Sequence, residues 1–305
     1  MENVLIFGGT GFIGLSLAAH LKQKGMHPIV IGRNQPKNKI DFQYEHWDAL
    51  SVGLWKTLLE NSKAIVNLAG KSVDCIKTPD NCDVILRSRI DATKTIGNAL
   101  KEVANPPSVW IQMSTAHIYG DPPRQICTED SAFGYGLAPF VAKAWEDTFN
   151  QSKPKNIRGV ILRTSFVIGK NGGALSSLKR IVKLGLGGTV GSGKQGMSWI
   201  HEYDMNEIIN QSIINKKYNG AYIASAPNPV SNKLFMQSLR NKLGVMIGLS
   251  APEFITRIGA HYIFRTDPAL ALYGRYVMPE KLEQIGFKFK YPKLDEALSN
   301  LINKK

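Results

Sequence analysis

Three glycines three residues apart, Gly8, Gly11 and Gly14, lie within the run Gly8-Gly9-Thr10-Gly11-Phe12-Ile13-Gly14. Between a strand and a helix, that spacing serves to hold a pyrophosphate. The first glycine permits a tight turn, the second lets backbone approach the phosphates, and the third allows close helix–strand packing. The helix start adds free N–H groups and the positive end of its dipole. Gly8, Thr10, Gly11, Phe12, Ile13 and Gly14 are therefore expected to cradle a dinucleotide. An Asp or Glu at the end of the next strand would bond the ribose hydroxyls of NAD. Here that strand ends Ile31-Gly32-Arg33-Asn34, with no acid. Gly32 leaves room for a 2′-phosphate and Arg33 offers it a charge-assisted pair, so NADP(H) is the expected cofactor.

The elements that must position these residues alternate along the first half of the chain. Residues 3–7, 28–31, 64–68, 108–113 and 158–163 are short apolar runs of strand type. Residues 12–24, 88–103 and 139–150 carry helical spacing. Such alternation predicts an α/β fold, a Rossmann-type doubly wound parallel sheet. Beyond Val167 the composition changes: residues 169–196 hold nine glycines, which suits loops closing over a ligand. Within and after them, helices are expected over 174–184, 205–215, 232–243 and 293–302, and a strand over 221–224. The expected division is an NADP-binding domain over 1–168, with a returning segment near 198–226. The remainder of 169–305 would form a smaller C-terminal substrate-binding cap.

Composition narrows the classes further. The chain has 305 residues, 43% hydrophobic and 20% charged, which is globular rather than disordered. Its apolar runs are too short to span a bilayer. Met-Glu-Asn leads straight into a strand with no basic-then-apolar leader, so a cytoplasmic protein is expected. Cys75, Cys82 and Cys127 form no C-x-x-C pair, and the six histidines show no metal-ligand spacing. Reduced thiols and no metal are the expectation. The net charge of +14 admits nucleic acid or an acidic membrane as partner, or simply attraction for a polyanionic cofactor. The basic residues are spread along the chain, and the densest groups, at 37–39, 288–290 and 304–305, are short. A small-molecule substrate is expected, with neither nucleic acid nor membrane as partner, for a monomer or homodimer.

Several segments resemble the extended short-chain dehydrogenase/reductase superfamily, also called the NAD-dependent epimerase/dehydratase superfamily. Asn67-Leu68-Ala69-Gly70 resembles its fourth-strand end, which implies that Leu68, Ala69 and Gly70 line the cofactor. Ser114-Thr115-Ala116-His117-Ile118-Tyr119-Gly120 resembles its S-[ST]-x-x-[VI]-Y-G segment, in which the hydroxyl at Thr115 polarises the substrate. Lys143, 24 residues past Tyr119, falls where the lysine of the family's Y-x-x-x-K belongs. A narrower resemblance is to the atypical branch of SDR family 39U. It is carried by Ser88-Arg89-Ile90, Arg163-Thr164-Ser165-Phe166-Val167-Ile168-Gly169, Gly191-Ser192-Gly193-Lys194-Gln195 and Ser198-Trp199-Ile200-His201 with Asp204. It implies a Rossmann domain, bound NADP(H) and a C-terminal cap, with Arg89 and Phe166 among the cofactor-binding residues. For Arg89, a solvated helix-surface arginine is the other reading.

In the wider superfamily a tyrosine is the acid/base, and a lysine four residues later binds the ribose and lowers the tyrosine pKa. Here the position four before Lys143 is Pro139, which suits a helix's first turn but carries no proton. Two phenols lie nearby in sequence. Tyr119 reads as packed with its hydroxyl bonded, whereas Tyr135, in the loop Gly134-Tyr135-Gly136, is free to serve as surrogate acid. Asp130, Glu146 and Cys127 are the other ionisable groups of this stretch. Gln195, Ser198, Trp199 and His201 are expected to contact substrate. A packed aromatic and a hydrogen-bonded core histidine are the alternatives for the last two. Asp204 reads as a helix cap.

Two functions follow. The first is an NADP(H)-dependent oxidoreductase or epimerase acting on a small carbonyl or hydroxyl compound, with sugar-like molecules among the candidates. Thr115 would polarise the carbonyl, Lys143 would anchor the ribose, and Tyr135 or water would carry the proton. The second is a non-catalytic NADP(H)-binding sensor whose cofactor state governs a partner. Pro139 favours the sensor; Thr115 and Lys143 favour the enzyme.

Overall fold

Val4, Leu5, Ile6 and Phe7 are all fully buried, so the first strand is covered on both faces, as a central parallel strand must be. The computed structural model describes residues 2–36, 41–122 and 125–302; the basic groups at 37–39 and 304–305 lie outside them. Seven strands form one parallel sheet: β1 (Asn3–Phe7), β2 (His27–Gly32), β3 (Gln43–His46), β4 (Ala64–Asn67), β5 (Val109–Thr115), β6 (Arg158–Thr164) and β7 (Gly220–Ala224). Their order is β7-β6-β5-β4-β1-β2-β3. This is a Rossmann-type doubly wound sheet.

The alternation of side chains along β1 divides the core. Val4 and Ile6 pack with Leu17, Ala18 and Leu21 of helix α1 (Phe12–Gln23) on one face. On the other, Leu5 and Phe7 join Ala92, Ile96 and Ala99 of helix α2 (Pro79–Lys101) and Phe149 of helix α3 (Leu137–Ser152). Each such aliphatic side chain contributes about 1.5–3 kcal/mol by leaving water. A third core lies under helices α4 (Gly173–Lys183) and α6 (Asn232–Leu243), where Leu175, Val182, Phe235 and Leu239 meet the C-terminal helix Leu294–Ile302. Helix α5 (Glu202–Ile214) closes the α1 side of the sheet through Met205, Ile208 and Ile209.

Local chemistry sets the element ends. Helix α2 starts nine residues before the expected position, because Thr78 caps Asn81 N at 3.2 Å and Pro79 occupies the first turn. Ser231 caps α6, and Gly244, at φ +69°, ends it. The edge strand β3 had no sequence expectation, since Gln43-Tyr44-Glu45-His46 is polar throughout and two of its residues are exposed.

Register brings the strand ends to one line. Phe7 pairs with Ile31 on one side and Asn67 on the other, and Thr115 pairs with Thr164. The strand order reverses between β1 and β4. Ligands of such sheets bind in the crevice outside the carboxyl ends at that point.

Candidate functional site

The glycine loop occupies this crevice. Gly8 adopts φ +73°, and a Cβ there would come within 2.8 Å of Ala69 N, so the loop lies directly against the end of β4. A Cβ on Gly14 would sit 2.4 Å from Gly9 Cα, so helix α1 lies closely against the loop that follows β1. Gly11 differs: it is exposed, and its Cβ would meet only Gly8 O, at 3.6 Å. The space in front of it and the N–H groups of the α1 N-terminus fit a pyrophosphate.

A Cβ on Gly32 would press on Thr10 Oγ1 at 2.9 Å, so the glycine makes room for the loop's threonine. Arg33, exposed at the end of β2, keeps the open side. Ile13 packs on the α1-side core. Phe12 turns its ring into a slot made by Gly169, Gly172 and Gly173, where a Cβ would lie 2.4–3.0 Å from ring carbons. That ring thus clamps the phosphate loop to the glycine-rich segment. Phe166 packs edge-on to Phe235, with 5.9 Å between centroids.

Leu68, Ala69 and Gly70 owe their path to a buried asparagine. Asn67 Oδ1 accepts from Ala69 N at 3.0 Å, while its Nδ2 donates to Gln112 Oε1 at 3.0 Å. Arg89 lies against Gly70: a Cβ there would be 3.1 Å from its Cζ. The guanidinium stacks over Trp145 at 5.0 Å and donates to Ile85 O at 2.8 Å. Burial lowers its pKa to about 10, and it has no carboxylate partner among the described residues. It is not a solvated surface arginine.

Thr115 ends β5 and caps the short turn Ala116–Tyr119; its Oγ1 accepts from His117 N at 3.2 Å. The hydroxyl proton is left to donate elsewhere. Below it, Glu146 of α3 accepts from Ser114 Oγ at 2.6 Å and pairs with Arg163 through two 3.0 Å bonds. Arg163 Nη1 also donates to Tyr119 Oη and Glu129 O, both at 2.9 Å. Burial would lower the arginine's pKa, but Glu146 beside it turns the direction upward. Burial pushes the Tyr119 hydroxyl up to about 12. Tyr119 and Glu146 are therefore structural partners. Glu129, which no sequence signal singled out, accepts from Ile223 N at 2.9 Å and Lys281 N at 3.3 Å.

Several expected residues stand elsewhere. Helix α3 buries Pro139, Ala142, Trp145, Glu146 and Phe149. Lys143 is one residue, about 100°, away from Ala142. It is 59% exposed and pairs with Asp147 at 2.6 Å. Tyr135 is 97% exposed on a loop docked to the Thr115 turn through Gly134 N and Ile118 O at 2.9 Å. Asp130 pairs with Lys281 at 3.0 Å, and burial pushes the Cys127 thiol up.

The proposed substrate contacts need correction. Trp199 has no exposed surface, and its Nε1 donates to Asn228 O at 3.3 Å. His201 stacks on Tyr291 at 4.0 Å and caps α5 through Nδ1, which accepts from Tyr203 N at 2.9 Å. Burial lowers its pKa to about 4. Ser198 Oγ donates to Arg275 O and accepts from Val277 N, both at 2.9 Å. Gln195 Nε2 donates to Val190 O and Ala271 O at 3.0 and 2.9 Å. Ser198, Trp199 and His201 are buried in packing, while Gln195 is half-buried with its Nε2 bonded. The α5 cap is His201 rather than Asp204, whose carboxylate accepts from Lys290 N and Tyr291 N at 2.8 and 2.9 Å.

Residues 4–222 match the model of the NAD dependent epimerase/dehydratase family. The chain belongs to that family. Residues 251–301 match a domain of unknown function, DUF1731. Epimerase family protein YfhF of Bacillus subtilis is 32% identical over 303 residues, covering 98% of each chain. The chloroplastic SDR39U1 homolog of Arabidopsis thaliana is 29% identical over 300 residues, 97% of this chain and 85% of that one. The crystal structure of human SDR39U1 with NADPH superposes with a TM-score of 0.87 at 26% identity, covering 99% of each chain. The resemblance to the SDR family 39U branch is thereby established. No helix among the described residues is long and apolar enough to cross a membrane.

Proposed function

We propose that this family member is an NADP(H)-dependent oxidoreductase or epimerase acting on a small carbonyl or hydroxyl compound. The observation that carries the reading is the crevice between β1 and β4. There the open face of Gly11 and the cations Arg33 and Arg89, which have no carboxylate partner among the described residues, suit a phosphorylated dinucleotide. That human SDR39U1 was crystallised with NADPH supports the choice of cofactor. The three cysteines are free thiols, which suits a reducing compartment such as the cytoplasm.

When bound, NADP(H) supplies or accepts a hydride. The chain's own contribution is positional. Gly11 and the α1 N-terminus receive the pyrophosphate, Arg33 the 2′-phosphate, and Arg89 a further anionic oxygen near Gly70. Thr115, its oxygen already accepting from His117 N, turns its proton to the substrate oxygen. Tyr135 or water carries the proton that the superfamily takes from tyrosine. For Lys143 to anchor the ribose it must leave Asp147. The non-catalytic NADP(H) sensor remains the second reading, favoured by Pro139 standing where the phenol belongs.

Arg33→Ala is expected to weaken NADPH binding by about 1.5–3 kcal/mol, the range for a hydrogen bond to a charged group, and to leave NADH binding nearly unchanged. Calorimetric titration of wild type and variant with both cofactors checks this; tighter NADH than NADPH binding in the wild type would sink the assignment. Turnover of aldehydes, quinones or keto sugars that is lost in Thr115→Val decides for the enzyme. Tight NADPH binding with no turnover decides for the sensor.

A further inference from the structure

Three elements bring donor groups to the turn that follows Thr115. The first is the turn Ala116–Tyr119 itself, which carries His117. Its ring makes no hydrogen bond among the described residues, and burial together with the neighbouring cations Arg275 and Lys77 holds it neutral, with a pKa down at about 3. The second is the loop after β4. Its Lys77 is only 19% exposed, with Nζ donating to Val73 O at 2.5 Å and Cys75 O at 3.0 Å.

The third is the segment around Arg275, rooted by its carbonyl on Ser198 Oγ and by Nε, which donates to Gly120 O at 2.6 Å. Among the described residues the two outer nitrogens of that guanidinium have no acceptor and no carboxylate within 4.0 Å, although the charge of Asp121 acts on it from farther away. Asp121 is committed to Gly274 N at 2.8 Å, and Asp267 faces Lys77 at 3.7 Å. What bears on the His117 ring is therefore cationic.

A half-buried guanidinium with an acceptor for its Nε alone among the described residues has lost hydration at its outer nitrogens. An anion in front of it restores that loss through paired, charge-assisted bonds. On the proposed reading the cofactor does not supply this anion, because its phosphates would be held by Gly11, Arg33 and Arg89. We propose that Arg275, Lys77 and His117 form the seat for an anionic group of the substrate, a carboxylate or a phosphate. The compound positioned at Thr115 is then itself an anion. This inference rests on the oxidoreductase reading, and the two are tested separately because NADPH binding and anion binding are measured independently.

The experiment titrates oxalate and inorganic phosphate into NADPH-saturated protein by calorimetry. At least one is expected to bind with unit stoichiometry, oxalate the tighter for a keto acid substrate and phosphate the tighter for a phosphorylated one. Arg275→Gln should weaken that binding roughly 10–100-fold and Lys77→Met by less, with NADPH affinity unchanged in both. Arg257→Gln, on the exposed helix Glu253–Ile258, should change neither. No anion binding in the wild type overturns the proposal, as does equal loss in Arg257→Gln, which would mark a bulk charge effect. Should Arg275→Gln also lose NADPH, Lys77→Met decides, and unchanged anion binding there counts against the site. If the wild type binds no NADPH, the oxidoreductase reading fails, and the same titrations on cofactor-free protein still decide whether the anion seat exists.

Discussion

Glu146→Ala should lower the stability of the fold by about 3–5 kcal/mol, the loss found when one partner of a buried ion pair is removed. Arg163, 7% exposed, would keep its charge in the interior without the carboxylate that now takes two of its N–H groups. Ser114 would lose its 2.6 Å acceptor at the same time. The remaining bonds of Arg163, to Tyr119 Oη and Glu129 O, are to neutral groups and do not offset an unpaired charge. Asp147→Ala, one residue further along α3 but exposed with its partner Lys143, should change stability by no more than about 0.5 kcal/mol. Urea denaturation at constant m-value separates the two. A Glu146→Ala midpoint within experimental scatter of the wild type would show that the pair does not hold the end of β5. Because Ser114 precedes Thr115, the variant should also lose turnover at temperatures where it is still folded.

All of the sheet but the polar edge strand β3 was legible because its strands are rich in apolar residues, and runs such as Val4–Phe7 have few other uses. The glycine loop was legible because each glycine answers a separate steric demand. Where reading failed, the missing quantity was three-dimensional. Gln195 and Ser198 are polar residues in a glycine-rich loop, and polarity alone does not tell a ligand contact from a bond that braces the loop. His201 holds the cap expected of Asp204, since a helix start three residues earlier moves the cap to the histidine. Lys143 shows how sharp the limit is: a single residue of helix register separates a buried position from an exposed one. Glu129 and Arg275 lie far in sequence from Thr115, so no spacing rule connects them to it. An arginine inside an apolar strand run, Arg163 in Val160-Ile161-Leu162-Arg163, was the one available signal of a buried polar cluster.

Gly11 and Gly14 read alike in sequence, yet their substitutions should fail in opposite ways. Gly11 has φ −80° and ψ 174°, a conformation open to any residue, and a Cβ there meets only Gly8 O at 3.6 Å. Gly11→Val should therefore fold with wild-type stability in the absence of cofactor. Its branched side chain would stand where the pyrophosphate must lie. The stabilisation that NADPH confers, about 2.7 kcal/mol at a hundredfold excess over Kd, should disappear. Gly14→Ala puts a methyl group 2.4 Å from Gly9 Cα and O, which are backbone atoms and cannot rotate aside. Helix α1 must then lift from β1, at the cost of about 1–3 kcal/mol typical of overpacking, with or without cofactor. Thermal melts of both variants with and without NADPH distinguish a blocked ligand site from a displaced helix. A full NADPH shift in Gly11→Val would place the phosphates elsewhere, and a wild-type melt for Gly14→Ala would mean that α1 does not rest on the loop as closely as its glycine allows.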